Sequence, residues 1–168
     1  MAIRKLILLL NETSAGHAAL DAALDAARLW DAHLTVLHVR VDARDVAPLA
    51  GEGLSGAMIE DMMVATEKES AIRAHDVRML FEHAVALHGV TVGEARAGGG
   101  ATANFVSVAG REEEILAQQA RLADIAVIPH PEAGQDVSSS DALHKTAPSN
   151  SSAPGIFRSC ISAVPNPP

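Results

Sequence analysis

Ile3-Arg-Lys-Leu-Ile-Leu-Leu-Leu10, then Asn11-Glu-Thr-Ser14, an alanine-rich stretch over 15–31, and His33-Leu-Thr-Val-Leu-His-Val39 decide the fold between them. Leu6 to Leu10 is apolar at every position, which is how a strand buried on both faces reads. Thr13 or Ser14 is placed to cap the helix that follows. In that helix Leu20, Leu24 and Ala27 fall on one narrow stripe, suited to close packing on a sheet. His33 to Val39 is a second buried strand. Strand, helix and strand within 40 residues make a βαβ unit, with parallel strands and a right-handed crossover.

Working outward, residues 41–56 read as a loop holding Pro48, Gly51, Gly53 and Gly56. A long helix is expected from Ala57 to about His88, ended by Gly89. Its expected buried stripe is Ile59, Met62, Met63, Thr66, Ile72, Leu80, Ala84 and Leu87. Short strands are expected at Val90–Ala95 and Ala103–Val108, on either side of Gly98-Gly-Gly100. A helix follows over 111–122, then the apolar strand Asp124–Pro129, and a last short helix from Asp141. Strands near 3–10, 33–39, 103–108 and 124–129 should lie parallel in one sheet. The fold class is α/β: a single domain with an open, Rossmann-like parallel sheet and helices on both faces. The domain covers 1–146. Beyond it, five of the eight prolines lie between Pro148 and Pro168, and no acidic residue follows Asp141. Residues 147–168 are expected to be an irregular or disordered tail that leaves one sheet edge exposed. The abruptness of the change is what a shifted reading frame near codon 147 would leave.

Composition narrows the function. The 168 residues carry a formal net charge of −8, and 48% of them are hydrophobic. That supports a real core, and it argues against a nucleic-acid partner or an anionic membrane surface, both of which need a basic face. Trp30, Phe81, Phe105 and Phe157 are the only aromatic rings apart from histidine, too few for a base-stacking platform. The single Cys160 closes no intrachain disulfide, and no apolar run approaches the length of a membrane helix, so a cytoplasmic protein is expected.

Several motifs have plain readings. Gly51-Glu-Gly-Leu-Ser-Gly56 has the glycine spacing of a dinucleotide loop, but it lies about ten residues beyond its strand, so it reads as a flexible loop. Ser55 lacks the second glycine of a hydrolase elbow, because position 57 is Ala. His75, His83 and His88 are spaced so that they do not share a helix face, and a metal site is not expected. His38 is expected to pack at a strand end, donating one hydrogen bond. The methionines of the long helix read as core filling or as a partner surface.

The order of segments resembles the universal stress protein family. Ile3–Leu10 with Thr13-Ser14 is similar to its first strand and loop. Leu34-Thr-Val-Leu-His-Val39 is similar to its second strand. Phe105-Val-Ser-Val-Ala-Gly110 with Glu114-Ile115 is similar to its third strand and next helix. Ala120-Arg-Leu-Ala-Asp124-Ile-Ala-Val-Ile128 is similar to its Ala-Asp strand signature. The resemblance implies a five-stranded parallel sandwich, usually dimeric and often binding ATP. The family's nucleotide binders have Asp after strand 1, where this chain has Asn11. They also have Gly-x-x-Gly, nine residues and Gly-Ser or Gly-Thr after strand 4, whose amides approach phosphates. The corresponding segment, His130 to Asp141, holds one glycine and the acids Glu132 and Asp136.

The resemblance places a ligand cleft at Asn11, Val39, His130, Ser138, Ser139 and Ser140, with ATP bound weakly or not at all and no other cofactor. His130 lies just past a strand's carboxyl end, and the three serines offer hydroxyls or a helix cap. The expected function is a non-enzymatic stress-response or small-ligand-binding module acting as a homodimer. The alternative is an adenine-nucleotide enzyme, an ATP hydrolase or nucleotidyl transferase. It needs a phosphate-cradling loop and a charged catalytic group, neither of which is evident.

Overall fold

The computed structural model of the chain describes residues 3–42, 55–95, 99–129 and 156–157. In chain order the elements are β1 (Lys5–Leu9), α1 (Ser14–Trp30), β2 (His33–Arg40), α2 (Gly56–His88), β3 (Thr91–Val92), β4 (Thr102–Ala109), α3 (Glu112–Ala120), β5 (Ile125–Val127) and β6 (Ile156–Phe157). The six strands form one sheet in the order β3-β4-β2-β1-β5-β6. Every neighbouring pair is parallel, as the uninterrupted apolar strands require.

The two faces of β1 serve two cores. Leu6, Leu8 and Leu10 join Leu34, Val36 and Ala103 beneath α1 and α2. Ile7 and Leu9 join Leu37, Ala126 and Leu116 of α3 on the other side. After Lys5, which opens the strand and is only partly buried, every position of β1 is buried, and all four are apolar. The α1 stripe is buried as its spacing predicts, through Ala19, Leu20, Ala23, Leu24 and Ala27. Its cap is Thr13, whose hydroxyl accepts the Gly16 amide at 3.0 Å.

The long helix departs from expectation. Its buried residues are Val77, Phe81, Ala84 and Val85, whereas Met62, Ile72 and Leu87 from the expected stripe are exposed. The reason is length. At 33 residues α2 spans about 50 Å, about twice the reach of the eight-residue β2 beneath it. Only its second half lies over the sheet, where Phe81 meets Phe105 with ring centroids 5.7 Å apart.

The sheet edge beside β5 also differs. Ile156 and Phe157 pair in parallel with Ala126 and Val127, so the chain returns to the sheet inside the segment read as irregular and covers that edge of β5. The rest of the 147–168 tail, and the helix expected from Asp141, lie outside the described residues.

Asp124 explains the Ala-Asp signature. Its carboxylate accepts the Arg4 and Lys5 amides at 2.8 and 3.0 Å, and its own amide donates to the Lys5 carbonyl at 2.8 Å. The start of β5 is thereby locked to the start of β1. These amide bonds hold the Asp124 carboxyl below the usual carboxylate range.

Candidate functional site

In an open parallel sheet the carboxyl ends of the strands face a crevice walled by loops and helix N-termini. Here the ends of β1 and β2 open into a cavity of about 340 Å³, lined among others by Asn11, Thr13, His38, Val39, Arg40 and Arg73. That volume lies at the small end of the range for ligand pockets.

The β1 end is held by backbone. Leu10 donates its amide to the Leu37 carbonyl at 2.8 Å. The Leu10 carbonyl accepts from His38 Nδ1 at 3.1 Å. A carbonyl only accepts, so Nδ1 carries the proton. This is the strand-end packing expected of His38, whose ring also stacks on Phe105 with centroids 6.4 Å apart. Next along the chain, Asn11 Oδ1 accepts the Thr13 hydroxyl at 2.7 Å. Asn11 is therefore oriented by the residue that caps α1. Gly16 gives it room, because a Cβ there would come within 2.5 Å of the Asn11 carbonyl oxygen. Asn11 and Val39, two of the sequence-predicted residues, are thus brought together in one cavity. His130, Ser138, Ser139 and Ser140 lie outside the described residues.

The third wall comes from α2. Thr66, Glu69, Ser70 and Arg73 line the cavity, and their spacing of three and four puts them on one side of the helix. Sequence reading missed all four apart from Thr66, which it took for a core position. A signal existed: Thr66, Ser70 and Arg73 interrupt, at helical spacing, a stripe that runs from Ile59 and Met63 to Val77 and Phe81. Arg40, at the end of β2, was missed as well.

The charges are unevenly matched. The Arg73 guanidinium is bonded to the Glu69 carboxylate one turn earlier. Arg40 makes no ion pair among the described residues, and its Nε is closed off from solvent with no acceptor. A buried donor left unmet costs about 1–3 kcal/mol. The Arg40 carbonyl is better placed, accepting the Gly110 amide at 3.1 Å and joining the ends of β2 and β4.

A second polar cluster lies at the opposite end of the sheet. His33, 6% exposed, shares a 2.8 Å hydrogen bond between its Nδ1 and the Thr102 hydroxyl. Burial, ahead of the opposing Glu94 charge, lowers the imidazole from its ordinary value. This cluster ties β2 to β4 and is remote from the cavity.

No protein-family model matches the sequence, and no curated protein matches it. Solved structures do match. The universal stress protein UspA from Lactobacillus plantarum is 16% identical, with a TM-score of 0.58, over 94% of this chain and 98% of that one. A universal stress family protein from Burkholderia pseudomallei is 19% identical, with a TM-score of 0.52, over 93% and 95%. The fold is that of the universal stress proteins, as the order of segments had implied.

Proposed function

We propose that the chain is a divergent universal stress protein, a non-enzymatic module that binds a small molecule in the cavity at the ends of β1 and β2. The observation that carries this reading is the meeting of Asn11 and Val39 in a cavity of about 340 Å³ at the strand ends where open α/β sheets take ligands. The fold likeness supports it. Among the described residues no group of three or more His, Cys, Asp or Glu side chains could hold a metal ion. ATP binds weakly or not at all in this reading, because the segment after β5 has Glu132 and Asp136 in place of the glycines that admit phosphates. The protein acts as a cytoplasmic homodimer. The exposed Met58, Met62, Val64 and Ile72 of α2 support an apolar contact between subunits. No helix among the described residues is long and apolar enough to cross a membrane.

The test is amide chemical-shift mapping with adenosine as probe, beside calorimetry with Mg-ATP. Saturable shifts at Asn11, Val39 and Ser70 are expected with adenosine. Shifts confined to other surfaces overturn the cavity as the ligand site. A micromolar or tighter dissociation constant for ATP overturns the weak-ATP reading and favours the enzyme alternative.

A further inference from the structure

Among the described residues the cavity holds a cation with no acidic partner. Arg40 lines it from the end of β2, its Nε is buried and lacks an acceptor, and no carboxylate among the described residues pairs with it. The other guanidinium, Arg73, is engaged by Glu69. Glu12, the remaining acid among the described wall residues, is exposed, and water screens its charge. The same cavity is lined by Thr66 and Ser70 of α2, whose hydroxyls donate as readily as they accept. Val39 and Val41 supply an apolar flank. A guanidinium presents its Nε–H and one terminal N–H as a fork, the geometry that matches two oxygens of one acid group.

We propose that the ligand of this cavity bears a single acidic group, a phosphate or a carboxylate, seated on Arg40 against the Thr66–Ser70 side of α2, and an apolar portion resting on Val39 and Val41. The acidic group is then recognised between β2 and α2 and not by the segment that follows β5. This rests on the reading of the cavity as the ligand site and adds the chemistry that site selects.

The experiment titrates inorganic phosphate and, separately, acetate into the full chain at constant ionic strength set with chloride, following the Arg40 Nε–H resonance together with the Ser70 and Thr66 amides. A saturable shift of all three with either anion supports the proposal, and the anion that binds more tightly identifies the acid. The Arg40→Met variant should weaken that binding at least tenfold. Arg40→Lys, which keeps the charge but not the fork, should also weaken it by several-fold. Arg121→Met, at an exposed position away from the cavity, should leave it unchanged. Binding in which the Arg40 Nε–H stays still, or which survives Arg40→Met in a folded variant, overturns the proposal. Adenosine shifting Asn11 and Val39 while neither anion moves Arg40 defeats this inference alone. Anions moving Arg40 while adenosine moves nothing defeats the nucleoside probe and leaves the acid site standing.

Discussion

Gly16 and Asn11 are in direct apposition: a side chain at position 16 of α1 has no room, because a Cβ there would lie 2.5 Å from the Asn11 carbonyl oxygen. Asn11 Oδ1 would be as close and could swing aside, but the carbonyl is backbone and cannot. Gly16→Ala is expected to destabilise the protein by about 1–3 kcal/mol, the usual range for overpacking. Gly56, also helical but with nothing within 4 Å of its Cβ position, is the control. Urea denaturation should show loss for Gly16→Ala and none for Gly56→Ala. Equal midpoints for the two variants would remove the steric argument.

The Phe81 ring is 2% exposed and packs on Phe105. Phe81→Ala should cost about 3–5 kcal/mol by thermal or chemical unfolding. Met62→Ala, in the exposed half of α2 at 41% exposure, should cost well under 1 kcal/mol in the same assay. The contrast tests where along α2 the core stops.

Asp124 has its carboxyl held below the usual 3.8 by the Arg4 and Lys5 amides. A depressed acid contributes stability that is present above the unfolded value and is lost as pH falls through the folded one. Asp124→Asn should therefore flatten the acid limb of the stability curve below about pH 4, with only a modest loss at neutral pH because the group is exposed. Identical acid limbs in variant and parent would show that the two amide bonds contribute nothing to stability.

His33 works at a higher pH. Its burial favours the neutral ring, so the folded value lies below the ordinary 6.5. The unfolded chain takes up the proton first, and stability present above about 6.5 is lost as pH falls below it. His33→Gln should show less loss between pH 7 and pH 5 than the parent, read from melting temperature across that range. A parent whose melting temperature is flat over the same interval contradicts the assignment.

Asn11→Asp restores an acid at the first loop, yet ATP affinity by calorimetry should stay weak, because the glycine pattern after β5 is still missing. A gain to micromolar affinity from this one change would show that the glycines are dispensable here.

The sheet was legible because burial on both faces leaves a strand no polar position, and Leu6 to Leu10 and Leu34 to Leu37 carry that pattern locally, broken only at Thr35. The α1 stripe and its Thr13 cap were legible for the same reason: a few adjacent residues suffice. The α2 stripe was misread because burial there depends on where the sheet ends, and the sequence of a helix says nothing of its partner's length. Asn11 and Val39 were found through resemblance and topology. Arg40 and Arg73 were not, since a lone arginine after a strand or on a helix is ordinarily a solvated charge. Only the three-dimensional crossing of β2 and α2 makes them neighbours of one cavity.

The placement of β1 between β2 and β5 sets a timetable for synthesis. The β1–α1–β2 unit, α2 and β4 have their partners early in the chain, but the Asp124 carboxylate that locks the start of β1 lies 119 residues from Lys5. At ordinary ribosomal rates of about 5–20 residues per second, that separation amounts to about 6–24 seconds. Through that interval the β5-facing edge of β1 has no sheet neighbour. A nascent chain stalled when residue 110 has just emerged from the ribosome should accordingly hold a folded β2–β4 half and an edge that recruits holdase chaperones, and release of the remaining residues should end that recruitment.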